Sequence, residues 1–360
     1  MQTIAVVNLD NIAEARRQLE ICNACRYCES YCSVFPAVHR EREFTDENVM
    51  QIANLCHNCR GCYYACQYTA PHEFGLNVPK ALAEVRQDSW QDNAAPSVLA
   101  KAFHHSGTLI SAFVIVAIAV LIWMIQGGSS VEGEGFYKLM PHNAMVFLFA
   151  PAFIIPVVMI TMGIRKYWRT VGGEPLRLAQ IKSALAEVGK MKNLAAGHGD
   201  GCNFEDEDRF SHARRYFHQA TMYGFLLCFA ATSVATLMHY LFSWPAPYEL
   251  LSPPKLLGVP GGILLSIGTA GLAWLKLQAD KDLGAKRVWG GEMAFVVMLF
   301  FVSTTGLALY WLGDTAWLPE LLAIHLGSVL AFFLLMPYSK MVHGFYRLAA
   351  ILREEQKKTS

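Results

Sequence analysis

Six stretches of this 360-residue chain are apolar over enough length to cross a hydrocarbon core of about 30 Å as helices: residues 107–125, 144–163, 219–242, 258–275, 292–312 and 320–338. Inside lipid a backbone must satisfy its own hydrogen bonds, so segments of this kind are committed to helix. Composition agrees, since 16% of the residues are charged, against about 25% in a soluble domain. The hydrophobic share is 54% and the mean hydropathy +0.28. An even number of spans puts both termini on one side, together with the loops 165–218 and 276–291. That side carries Arg165, Lys166, Arg169, Arg214, Arg215, Lys286, Arg287 and Arg353 among others, whereas the opposite loops carry Lys138 and Lys255. The asymmetry predicts cytoplasmic termini in a multi-pass protein of a bacterial inner membrane. Residues 1–20 hold five acids and bases and no long apolar core, so no signal peptide is expected there. A net charge of +1 gives no basic field for nucleic acid.

The first hundred residues are polar with helical patterning. Helices are expected over 10–21 and 45–55, each opened by an N-cap residue type, Asp10 and Thr45, and over 77–90 with Asn77 as cap and Pro79 in its first turn. A polar linker, 91–97, then ends an N-terminal domain 1–97. A membrane domain 98–345, which includes the loop 165–218, and a tail 346–360 complete the partition.

Eight of the ten cysteines lie in two identical runs. Cys22, Cys25, Cys28 and Cys32 form C-x2-C-x2-C-x3-C, and Cys56, Cys59, Cys62 and Cys66 repeat it. In a reducing compartment such crowding reads as metal binding. Three thiolates within seven residues can wrap one corner of a cubane, and in two-cluster ferredoxins the fourth cysteine of each run ligates the other cluster. The expected assignment is Cys22, Cys25, Cys28 and Cys66 to one [4Fe-4S] cluster, and Cys56, Cys59, Cys62 and Cys32 to a second. Structural zinc is the alternative, but zinc sites space two C-x2-C pairs widely and leave the third cysteine without a role. The proline that often follows the fourth cysteine is delayed here to Pro36 and Pro71. Helices flanking both runs suggest an α-helical ferredoxin, so the fold class is mainly α, with a two-cluster domain ahead of a six-helix transmembrane bundle. Cys202, in a loop, and Cys228, in a span, read as small apolar or unreactive residues.

Four histidines fall near the ends of two spans. His325 and His343 are eighteen residues apart, five turns of a continuous helix and about 27 Å along its axis. His218 and His239 lie 21 residues apart, within roughly 60° of one face. The third and sixth spans run in opposite directions, so His218 should meet His343 on the cytoplasmic side and His239 should meet His325 on the far side. These are candidate bis-histidine sites for haem b, one proximal and one distal. His104 and His105, at the start of the first span, are read as interfacial. The stretch 197–215, glycine-rich and then densely charged from Glu205 to Arg215, is either a docking loop for a flavoprotein or a connector with Arg214 and Arg215 at lipid phosphates. Residues 174–192 should form a basic amphipathic helix on the membrane surface.

The run His325 to His343, with Pro337-Tyr338-Ser339-Lys340 near its end, resembles the final haem-bearing helix of the cytochrome b subunit of respiratory nitrate reductase. Phe217 and His218 resemble the start of that family's other ligand helix, although its second histidine, about three turns further in, is Cys228 here. Over nearly all of its length the chain resembles the tricarballylate, or citrate, utilisation protein B family. That resemblance implies an FAD-containing cytoplasmic partner, a tricarballylate dehydrogenase, whose electrons pass through this protein to the quinone pool. A related fused arrangement of flavin, clusters and haem occurs in a cobalamin-pathway protein, so substrate choice would belong to the partner. No nucleophile or substrate pocket is recognisable, which makes the chain an electron-transfer subunit without substrate chemistry of its own. Two other readings compete. A transporter with an iron-sulfur sensor domain is disfavoured because the spans carry carboxylates at their ends, Glu292 and Glu320, and none between. A cluster-bearing membrane anchor differs from an electron carrier by its lack of haem.

Overall fold

The computed structural model of the chain describes residues 9–126, 135–203 and 209–359. Residues 1–8 of the segment read for a signal peptide and residues 204–208 of the charged loop lie outside the described residues. Among the described residues thirteen α-helices follow in order: α1 (Leu9–Cys25), α2 (Phe35–Arg40), α3 (Asp46–Leu55), α4 (Gly61–Tyr64), α5 (Val78–Asn93), α6 (Ser97–Gln126), α7 (His142–Thr170), α8 (Leu178–Lys190), α9 (Ala213–Phe242), α10 (Pro253–Gln278), α11 (Lys286–Leu312), α12 (Leu318–Leu335) and α13 (His343–Thr359). No strand occurs among the described residues, and the one β-type pairing there is an isolated antiparallel bridge between Cys202 and Ser211.

The caps act as their residue types require. Thr45 Oγ1 accepts from the Asn48 amide at 3.4 Å and Asn77 Oδ1 from the Lys80 amide at 3.1 Å. Both flanking helices outrun their expected ends. Ile12, Ala15 and Leu19 bury one face of α1, which continues to Cys25 and carries Cys22 and Cys25 on its last turns. Trp90, almost fully buried, donates from Nε1 to Asn54 Oδ1 at 2.9 Å, so residues expected to begin a linker belong to α5. The linker shrinks to Ala94, Ala95 and Pro96.

The core of the N-terminal half is Val49, Ile52, Ala53, Leu82 and Val85, and α13 completes it with Ala350 and Ile351. Residues 346–360, expected as a tail, are thus mostly a docked helix. Lys357 Nζ meets Glu41 Oε1 at 2.6 Å, and Arg40 pairs with Glu354. Burying a side chain such as Ile351 contributes about 1.5–3 kcal/mol, more than an exposed ion pair supplies. The expected surface helix is α8. Its Ala184 and Val188 pack into this same core, so its apolar face has a protein partner.

Six helices, α6, α7, α9, α10, α11 and the segment Leu318–Tyr338, are long and apolar enough to cross a membrane, and the protein is a multi-pass membrane protein. Phe113 and Phe147 point outward, 75% and 85% exposed, as lipid-facing side chains do. Without a hydrophobic drive between helices in lipid, close packing needs small residues. A Cβ at Gly224 would lie 2.5 Å from the Leu265 nitrogen, and one at Gly268 2.5 Å from the Thr221 nitrogen, so α9 and α10 touch backbone to backbone. The sixth span is not continuous to His343. Pro337 has no N–H to bond the Phe333 carbonyl, and α12 stops at Leu335, followed by two 3-10 turns about an extended Ser339 (φ −91°, ψ 173°). His325 and His343 therefore lie on different helices, and the five-turn construction fails. Three contacts clamp the two halves together: Arg287 to Asp88 at 2.5 Å, Lys166 Nζ to the Asp92 carbonyl at 2.7 Å, and Tyr338 Oη to the Ala95 carbonyl at 3.3 Å.

Candidate functional site

Both cysteine runs turn sharply through left-handed residues that are not glycine: Arg26 (φ 57°) in the first, Asn58 (φ 53°) and Arg60 (φ 62°) in the second. Such conformations cost of order 1 kcal/mol or more each and persist where the surroundings over-determine them. Here they curl three thiols of each run inward. Cys22, Cys28, Cys32, Cys56, Cys62 and Cys66 line one internal cavity of about 50 Å³, walled by Leu19, Val34, Phe35 and Leu82. Cys32, from the first run, hydrogen-bonds Cys62 of the second; that contact holds the Cys32 thiol below its ordinary range and pushes Cys62 well above it. Cys22 is pushed up to about 12, first by burial, then by the nearby thiols of Cys28 and Cys66. Cys28 rises to about 11, again mainly by burial. A dry shell around thiols resists thiolate unless cations enter with it, and a cluster's irons supply those charges. Among the described residues no three such side chains close on a single-ion site.

Below the second run, on the membrane side, His218 of α9 and His343 at the start of α13 face each other with ring centroids 5.8 Å apart and planes crossed at 80°. Two metal–imidazole bonds of about 2 Å each, plus the two ring radii, span roughly 6 Å. His343 Nδ1 donates to the Lys340 carbonyl at 2.5 Å, which leaves Nε2 as the lone-pair nitrogen. His218 Nδ1 is buried and has no hydrogen-bond partner. Burial, then the Arg347 charge, holds His343 well below the usual imidazole range, in the neutral form a metal ligand needs. The pair therefore fits an axial-ligand set.

Between this pair and the second run lies a layer of guanidinium groups. Arg347 Nη2 and Arg86 Nη1 both donate to the Cys56 carbonyl, each at 2.9 Å, and Arg214 Nη1 donates to the Asn58 carbonyl at 2.8 Å. Burial pushes Arg347 down to about 9, with Arg86 adding to it. His57, directly after Cys56, is held well below its usual range by burial and then by Arg347, Arg214 and His218. Lys340 bridges to Glu292 Oε1 at 2.7 Å, and Lys276 reaches Glu292 Oε2 at 2.6 Å. Sequence reading missed this layer. One signal for it was present: Arg347 stands four residues, one helical turn, after His343.

The distal histidines have other neighbours. His239 stacks on His142 at 3.9 Å and 20°, and His142 Nε2 reaches Tyr240 Oη at 3.0 Å. His325 Nδ1 lies 3.1 Å from Thr305 Oγ1, and its ring leans on Gly306, where a Cβ would come within 2.9 Å. The far end of α9 leans on α7 while this face of α12 meets α11, so the expected facing of His239 and His325 is replaced by these two separate contacts. His104 is buried against Gly291, and His105 is exposed. Cys228 packs against Gly261 of α10. Arg215 Nη2 donates to the Lys190 carbonyl at 2.9 Å, so Arg214 and Arg215 are bound to protein rather than turned to lipid. Cys202, read as inert, packs beside Cys59.

Family models match in two adjoining parts, the citrate utilization protein B Fer4-like domain over residues 15–94 and citrate utilization protein B over residues 98–360. The chain is 42% identical to citrate utilization protein B of Escherichia coli over 346 residues, 95% of this chain and 91% of that protein. No solved structure matches.

Proposed function

The chain belongs to the citrate utilization protein B family, a membrane protein with an N-terminal Fer4-like, iron-sulfur-type domain, and from that premise we propose that it is the electron-transfer subunit of a two-component oxidoreductase. Residues 1–97 form the cluster-bearing unit and residues 98–345 the membrane unit. Residues 346–360 return as α13 to the first, so the boundary in space is not a single cut in sequence. The basic loops and both termini face the cytoplasm of a bacterial cell, across its inner membrane.

Bound in place, two [4Fe-4S] clusters and one haem b supply one-electron carriers between the reduced FAD of a cytoplasmic dehydrogenase, acting on tricarballylate or a similar substrate, and membrane quinone. The residues position and tune those groups. Cys22, Cys25, Cys28 and Cys66 hold one cluster, and Cys56, Cys59, Cys62 and Cys32 the other. His218 and His343 hold the haem, with the Lys340 carbonyl fixing the His343 tautomer. Arg86, Arg214 and Arg347 place positive charge beside the second run, which would favour the reduced state of a cluster held there over that of one held by the first. The single observation that carries the reading is the crossed imidazole pair directly under the second cysteine run.

Purified anaerobically as the full chain, the protein should hold about eight non-haem irons with as many acid-labile sulfides and a reducible b-type chromophore. Clusters without any haem would instead leave the anchor reading standing.

A further inference from the structure

The connector between α8 and α9 carries a cysteine that the cluster assignment does not use. Its path lies hard against both cysteine runs and at Gly197 and Gly201 leaves no room for a side chain. A Cβ at Gly197 would fall 2.3 Å from the Ser30 carbonyl oxygen, and Gly197 N donates to the Tyr31 carbonyl at 3.1 Å. Gly201 adopts φ +108°, and a Cβ there would fall 2.3 Å from the Ser211 carbonyl oxygen. Cys202 and Ser211 then exchange backbone hydrogen bonds of 2.9 and 3.0 Å, and Asn203 N donates to the Cys59 carbonyl at 2.9 Å. The connector is thus tied to the second run at the residue whose thiol it meets. Cys202 is 1% exposed and packs with Cys59 in one cluster. Its Sγ hydrogen-bonds the Leu194 carbonyl at 3.3 Å, the Cys59 thiol and the Arg214 guanidinium. The connector thus holds a buried thiol against the Cys59 thiol, fixed on either side by backbone pairing to Ser211 and to the Cys59 carbonyl.

We propose that Cys202 is a fifth thiol donor at the second cysteine run, able to occupy the iron position of Cys59. The inference rests on the cluster reading given above. In the exchange the Cys59 Sγ–iron bond breaks and a Cys202 Sγ–iron bond forms, the Cys202 thiol proton passing to the released Cys59 thiolate; where Cys59 is absent that proton leaves to water, and in neither case does an electron move.

The test is non-haem iron content and the reduced EPR spectrum of the anaerobically purified full chain and its variants. Cys56→Ala, expected to have no such substitute, should lose the second cluster and keep about four of the eight irons. Cys59→Ala should keep all of them, with shifted second-cluster g values. Cys202→Ala should also keep them, with an unshifted spectrum. The Cys59→Ala/Cys202→Ala double variant should fall to about four. First-cluster signals report folding, and Cys59→Ser carries the same expectation as Cys59→Ala with less change in size. Loss of the second cluster in both Cys59 single variants would overturn the proposal, as would its loss in Cys202→Ala alone. Stoichiometric zinc and no iron in the unsubstituted chain would overturn the cluster reading, and this inference with it.

Discussion

The two ends of α9 carry one histidine each, and the structure treats them differently. At the end beside the cysteine runs His218 meets His343 across 5.8 Å with crossed planes, and sits under three guanidiniums that reach the second cysteine run. At the far end His239 lies flat on His142 among tyrosines, and His325 is a helix away, at Thr305. A ligand pair needs two nitrogens aimed at one point and a partner that fixes each ring. At the end beside the cysteine runs the two rings are crossed rather than stacked and the Lys340 carbonyl fixes the His343 ring, while parallel stacking at the far end turns ring faces, not nitrogens, toward each other. The comparison teaches that histidines at both ends of a span are a weak sign of two haems.

The largest expected effect breaks the comparison at its strong end. His218→Ala or His343→Ala should abolish the b-type spectrum while non-haem iron and sulfide stay unchanged; retention of full haem in both variants would falsify the ligand assignment and make His104, the buried histidine of the first span, the next candidate. A smaller effect is expected from the guanidinium layer. A unit charge some 10 Å away at an effective dielectric of about 20 is worth roughly 1–2 kcal/mol. Arg347→Gln should therefore lower the midpoint potential of the second cluster by tens of millivolts and leave the first nearly unmoved. Equal shifts in an EPR-monitored redox titration would deny that the layer distinguishes the runs.

Acid should weaken the end beside the cysteine runs next. His57 and His343 are both held well below the ordinary imidazole range, so the folded chain keeps them neutral while the unfolded chain protonates them below about 6.5. The unfolded state then binds more protons, and stability drops as pH falls through that region by up to about 1.4 kcal/mol per unit for each group. Thermal midpoints measured from pH 7.5 to 5.5 should decline, and His57→Gln should flatten the decline; an unchanged slope would show that His57 is not the group responsible. The smallest effect is expected at the weak end. His239→Ala and His325→Ala should leave haem content where it is, and loss of half the haem in either would restore the distal site.

Much of this was legible in sequence because periodicity and spacing carry it. Six apolar runs gave six helices, and Thr45 and Asn77 cap as their types require. What stayed hidden depends on tertiary contacts. Nothing local marks residues 346–360 as the missing face of the N-terminal core, nor 91–93 as helix, since Trp90 is secured by Asn54, 36 residues away. The meeting of His218 with His343 was anticipated from an unbroken helix that Pro337 in fact ends; antiparallel topology, not helical phase, was the sound part of that argument. Cys202 looked inert because its neighbour Cys59 is far off in the chain.

The ligand geometry itself can be read directly from the low-temperature EPR spectrum of the oxidised, purified full chain. Imidazole planes crossed at 80° on one low-spin ferric haem should give a single, strongly anisotropic signal that integrates to one spin per chain. Two low-spin signals of equal weight, a high-spin haem, or no haem signal at all would contradict the account.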